Sequence, residues 1–265
     1  MVLIPGILRR AGLALVCFCG AAVSLGCGGG GLFGKVYEYE EDLYISLDGR
    51  ADVIVNASLP ALATLRGLGV EIDPSARVDR DRIRALYESP LTEVTRVSRP
   101  WRRDGRNFVQ VRVSVDDIRR LSETGPFNWS KYELVGSESE YVFRQVVGPS
   151  AHRPGTLKNV GWKGSELVAF RVHFPSRILD HNARDLETDE PSEIARGNIL
   201  AWEQRLADRL DSQPITIEVK MDPQSILYRT LWLFAGAFSA AVLLMLAFVW
   251  WIRRKGTRQA TAVPN

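Results

Sequence analysis

Cysteine is nearly absent from this chain. Only Cys17, Cys19 and Cys27 occur in 265 residues, and none follows Gly28. A structural disulfide or a thiolate metal site is therefore excluded from everything beyond the leader. Histidine is equally scarce: His152, His173 and His181 stand without the close spacing of a metal-ligand pair. There is no Gly-x-Ser-x-Gly turn to raise a nucleophile and no Gly-x-x-x-x-Gly-Lys loop to cradle phosphates. Carboxylates are plentiful, but they fall on the polar faces of strands, where solvation is the ordinary fate. These absences lead to the expectation of a non-enzymatic chain with no cofactor and no metal.

Acidic residues are missing from both ends. Arg9 and Arg10 near the start, and Arg253, Arg254, Lys255 and Arg258 near the finish, account for the net charge of +3 and leave the middle at about −3. These positives flank hydrophobic runs, where they set membrane topology and do not build a phosphate-reading face, so no nucleic-acid partner is expected.

Two long hydrophobic runs are present. Behind Arg9 and Arg10, the apolar stretch from Ala11 to Gly26 ends in small residues, the pattern of an export signal spanning residues 1–27. Cys27, followed by the glycines of a tether over 28–35, resembles the lipidation site of a bacterial lipoprotein signal. Lipidation of Cys27, ordinary cleavage and an uncleaved anchor all remain open, because Ser24 and Leu25 depart from the lipoprotein pattern. The second run, Leu231 to Ile252, has 22 residues without a charge. At ~1.5 Å per residue it crosses a hydrocarbon core of ~30 Å. Tyr228 and Trp232 mark one rim of this segment, 228–252, and Trp250 and Trp251 the other. The basic tail, 253–265, predicts a cytoplasmic C-terminus and a domain on the opposite side of a cell membrane.

Between these ends, residues 36–227 read as one α+β domain. Alternation from Val36 to Leu47, Asp48-Gly49, and renewed alternation from Ala51 predict a hairpin with a type I′ turn. Ser58, Pro60 and Gly67 bracket a helix, and a second helix spans Val78 to Glu88. A further hairpin turns at Asp104-Gly105, a short helix runs from Asp116 to Ser122, and a third hairpin pairs Trp129–Val135 with Glu140–Val147. Strands follow at Glu166–Phe174, Asn198–Gln204 and Ile215–Met221, with a polar insertion over Asp180–Glu193. The expected architecture is an antiparallel sheet built from hairpins with two or three helices packed on it, plus the C-terminal transmembrane helix.

The most distinctive local feature is basic. Arg99, Arg102, Arg103 and Arg106 surround Trp101 near the second hairpin tip, with Arg96 just before them. Guanidinium forks pair with phosphates and indole favours the headgroup layer, so this tip is a candidate for anionic-headgroup contact. A solvated tip with its arginines paired to nearby acids is the competing reading.

In the last third of the domain, Val172-His-Phe-Pro-Ser-Arg-Ile178, Asn182-Ala183 and Arg196-Gly-Asn-Ile-Leu-Ala-Trp202 together resemble mycobacterial LppM-type lipoproteins. The resemblance covers about 30 residues, and the acidic insertion between Asn182 and Arg196 departs from it. That family joins an export signal, an extracytoplasmic α/β domain and a C-terminal membrane helix. The resemblance implies an envelope protein that binds a lipid or another envelope component, the alternative being an assembly module that contacts envelope proteins.

Overall fold

The computed structural model describes residues 35, 37–151 and 160–260. The export signal, most of the tether, Cys27, His152 and the last five residues lie outside it. By contact the chain divides at Val36, and the description below concerns the unit from Tyr37.

Strands β1 (Tyr37–Ile45) and β2 (Ala51–Ser58) form the first hairpin. Its turn differs from the expected type I′: only Gly49 has positive φ, at 98°, and its N–H donates to Ser46 O. This is a type I-like turn closed by a left-handed glycine, a longer hairpin loop than the Asp-Gly pair suggests. Helix α1 (Leu59–Arg66) starts where Ser58 Oγ accepts from Ala61 N at 3.0 Å, and stops at left-handed Gly67. Helix α2 (Arg80–Tyr87) is capped by Asp79.

Pro100 interrupts the second hairpin, giving β3 (Thr92–Val97) and the short β4 (Trp101–Arg103), both paired to β5 (Arg106–Val115). Asp104 and Gly105, at φ 47° and 75°, do adopt the expected two-residue geometry. The short helix appears as a 3₁₀ segment at Ile118–Glu123, and the third hairpin as β6 (Ser130–Gly136) and β7 (Tyr141–Val147).

The fold is α+β as expected, with its strands divided between two sheets. Strands β8 (Leu167–His173) and β10 (Ile199–Arg205) join the first sheet in the order β10-β8-β1-β2-β5-β3, where β8 lies parallel to β1. The second sheet is antiparallel, β6-β7-β11-β9, with β9 at Ser176–His181 and β11 at Ile215–Ser225. The chain passes between sheets at Phe174-Pro175, since proline cannot continue the ladder. Between β10 and β11 lies the short helix α3 (Leu206–Leu210).

The residues of the LppM-like pattern serve this frame. Gly197 and Asn198 have positive φ, and Asn182 Oδ1 accepts from Trp202 Nε1 and Glu218 N, each at 2.9 Å. The polar insertion beyond Asn182 is a local turn in which Asp185 caps Glu187 and Thr188. Phe170, Phe174 and Trp202 are core residues, and Trp162 donates to Glu38 at 2.9 Å.

Strand β11 runs without a linker into α4 (Ile226–Ala260), whose Ile226 N–H donates to Pro175 O at 3.1 Å. Within α4, Thr230–Ile252 is long and apolar enough to cross a membrane, and none of its most apolar stretch is covered by protein. A helix with this composition and no apolar partner is suited to lipid, since water would face its hydrophobic surface on every side.

Candidate functional site

Strand β1 carries four carboxylates, and alternation sends them to different fates. Glu41 lies on the inner face with Tyr39 and Leu43, only 1% exposed, between the two sheets. Tyr39 Oη donates to it at 2.8 Å, and Tyr132 Oη and Gln145 Nε2, from the second sheet, each at 3.2 Å. Burial raises both phenols well above their ordinary value, so they serve as donors to the carboxylate. Arg66, at the C-terminal end of α1, supplies the counter-charge with Nη1 3.5 Å from Glu41. Its guanidinium lies 4.0 Å above the Trp129 ring and donates to Pro126 O.

Above this network a cleft of ≈ 740 Å³ opens beside β6 and β7. Arg66 and Trp129 form its floor, Leu65, Val146 and Pro149 offer apolar wall, and Lys131 and Arg144 add positive charge near Glu133. The wall at Gly148 is fixed from two sides. Gly148 N donates to Trp129 O at 2.6 Å, and Gly148 O accepts from Arg209 Nη2 at 2.7 Å. A Cβ at Gly148 would meet Trp129 O at 2.7 Å, so the approach requires glycine. The volume falls within the range of sites for small ligands, and the mixed lining suits an amphipathic one.

The cleft lies far from α4. Val147 pairs with Ile215 at the start of β11, whereas Ser225 at its other end leads into α4. At ~3.3 Å per residue, roughly 30 Å of strand separates the two ends.

The sequence-identified basic tip occupies a different place and is partly consumed by structure. Arg106 is buried, with Nε 2.8 Å from Glu38, and Arg103 packs 4.1 Å from the Phe108 ring while donating to Tyr37 O. Arg99, Arg102 and Trp101 remain exposed, Trp101 stacked on Phe108. The parallel pairing of β1 with β8 puts this tip beside Tyr37 and Leu167, whereas Tyr44 and His173 occupy the end next to Pro175 and α4. The tip thus lies about 20 Å along the strands from the start of α4. Cys27 is outside the described residues.

On the outer face of the first sheet, Arg171 Nη1 bridges Glu40 at 2.7 Å and Asp42 at 3.0 Å. Burial, and then the Glu40 carboxylate, raise Asp42 to about 6 against the pull of Arg171. The native state therefore binds an extra proton between the ordinary value of 3.8 and 6, and the Asp42 contribution to stability falls as pH rises through that window. We expect the stability of the wild type relative to Asp42→Asn to drop by on the order of 1–3 kcal/mol between pH 4 and pH 6, and to stay level above it. Urea unfolding of both proteins across this range checks the slope.

Neither a family model nor a curated protein matches this chain. Its fold is similar to the NMR structure of the folded domain of Mycobacterium tuberculosis LppM. The TM-score is 0.38 at 12% identity, covering 75% of this chain and 98% of that chain.

Glu41, Arg66 and Arg209 were not singled out by spacing. A signal existed for the first: Glu41 falls in the apolar register of Tyr39, Leu43 and Ile45, where a carboxylate needs partners. Arg66 and Arg209 close short helices rich in leucine, a position equally compatible with solvent.

Proposed function

We propose that this chain is a single-pass envelope protein that holds its domain on the extracytoplasmic side and binds an amphipathic envelope component, such as a lipid, in the cleft beside β6 and β7. The reading assigns it no catalytic step. The observation that carries it is the pairing of an uncovered apolar helix, Thr230–Ile252, with a cleft of ≈ 740 Å³ at the far end of β11. An assembly module would favour a contiguous apolar patch, yet the exposed apolar side chains outside α4, among them Tyr44, Trp101, Val135, Leu179 and Ile194, sit on separate elements.

Native mass spectrometry of the full chain, extracted from its own membrane in mild detergent, tests the reading. A lipid-sized adduct is expected, and Val146→Asp, which charges the apolar wall, should cut its occupancy about tenfold, a cost of ~1.4 kcal/mol. Adduct-free protein from several independent extracts would sink the lipid reading and favour protein contacts.

A further inference from the structure

Arg209 is a buried cation without a counter-ion. Its side chain is 0% exposed, its Nη2 is bonded to Gly148 O, and its Nε and Nη1 have no partner. Among the described residues no carboxylate forms an ion pair with it, and the stretches outside them, 1–34, 152–159 and 261–265, contain no Asp or Glu. Burial, unopposed by any acid, pushes Arg209 down to about 10. The adjacent charges do not make up the deficit: Glu41 is already matched by Arg66, so the cluster around Trp129 carries one uncompensated positive charge.

Free donors collect in the same place. Arg66 Nε and Trp129 Nε1 are both buried and unpartnered, and both residues line the cleft floor. Arg209 lies behind them, its guanidinium 5.8 Å from the Trp129 ring centroid and bonded to the Gly148 wall. Among the other charged residues lining the cleft, Lys131 and Arg144 outnumber Glu133, so the balance there has the same sign. Buried donors left unmade are costly, and an isolated buried charge more so, unless something of opposite charge reaches them.

We propose that this cleft takes a compact oxyanion, a phosphate or carboxylate group, against its Arg66–Trp129 floor, with the charge of Arg209 behind it. The proposal rests on the reading of the cleft as a binding site and names the polar end of what it binds. Arg66 Nε and Trp129 Nε1 supply donors to such a group, and the charge of Arg209 behind them supplies attraction that no carboxylate among the described residues pairs with.

The test uses the full chain in a nonionic detergent. Thermal unfolding is followed with inorganic phosphate titrated against chloride at fixed ionic strength, and in parallel with a soluble short-chain phosphatidylglycerol against the matching phosphatidylcholine. A saturable rise in Tm with phosphate assigns the site to a free anion. A rise with phosphatidylglycerol alone assigns it to a lipid headgroup. Arg209→Met should abolish the rise, read against the variant's own Tm in chloride, since the change removes the donor to Gly148 O as well as the charge. Trp129→Phe, which keeps the ring and loses the N–H, should weaken anion binding about tenfold and provides the test should Arg209→Met not fold. The proposal is overturned if neither anion stabilises the wild type, or if the folded variants keep the full rise. A lipid adduct in mass spectrometry without any anion effect would leave the cleft a binding site and remove only its oxyanion.

Discussion

Glu41→Leu should lower the free energy of unfolding by about 3–5 kcal/mol, the usual consequence of stripping one partner from a buried ion pair. The substitution leaves Arg66, 6% exposed, with its charge unmatched. It also removes the acceptor for Tyr39, Tyr132 and Gln145, so donors from both sheets lose their common carboxylate. Arg66→Met alone should be costly for the mirror-image reason, a carboxylate left without its cation. The double variant should be more stable than the sum of the two losses by about 1–3 kcal/mol, because each single change leaves a charge that the other removes. Urea unfolding of the full chain in detergent, followed by tryptophan fluorescence, measures all three. A loss below about 1 kcal/mol for Glu41→Leu would mean that water already reaches the carboxylate, and the network would then contribute nothing to holding the sheets together.

The same residue shows how far the sequence was legible. Local chemistry read well: the Ser58 cap, the Gly67 stop, the Asp104-Gly105 turn and the β6–β7 hairpin stand where their residues place them. What failed was pairing over distance. Strand β1 finds β8 some 130 positions later, in parallel, and no periodicity within either strand encodes that choice. The continuation of β8 through Phe174-Pro175 into β9 likewise looked like the end of a strand, although it is the step from one sheet to the other. The site suffered for the same reason. Arg66, Trp129 and Arg209 come from a helix, a loop and a second helix separated by some 60 and 80 residues, and meet only because the two sheets close over a common core. The arginines of the basic tip are close in sequence, yet Arg106 is held by Glu38 from another strand.

Placing two arginines in the apolar helix should release the protein from the membrane. Thr230–Ile252 spans 23 residues, about 35 Å of helix, enough to cross the hydrocarbon core with modest tilt. Ala240 and Leu244 lie one turn apart near its middle, where each arginine costs about 2.5–3.5 kcal/mol of insertion free energy. Together, about 5–7 kcal/mol removes a large part of what favours insertion and leaves a helix with one charged face and no protein to cover the other. The leader could hold the chain independently, so the substitutions belong in a Cys27→Ser background that blocks lipidation. Extraction of membranes with alkaline carbonate should leave the Cys27→Ser protein in the pellet and move Cys27→Ser/Ala240→Arg/Leu244→Arg to the supernatant. Retention of the latter would locate the anchor in residues 1–26 instead of α4. The orientation is read on the singly substituted protein: protease added to intact cells should remove the domain and spare a tag placed after Asn265, because Arg253, Arg254, Lys255 and Arg258 favour the cytoplasmic side. Cleavage of the tag with the domain protected would reverse the topology and place the cleft in the cytoplasm, where an envelope ligand could not meet it.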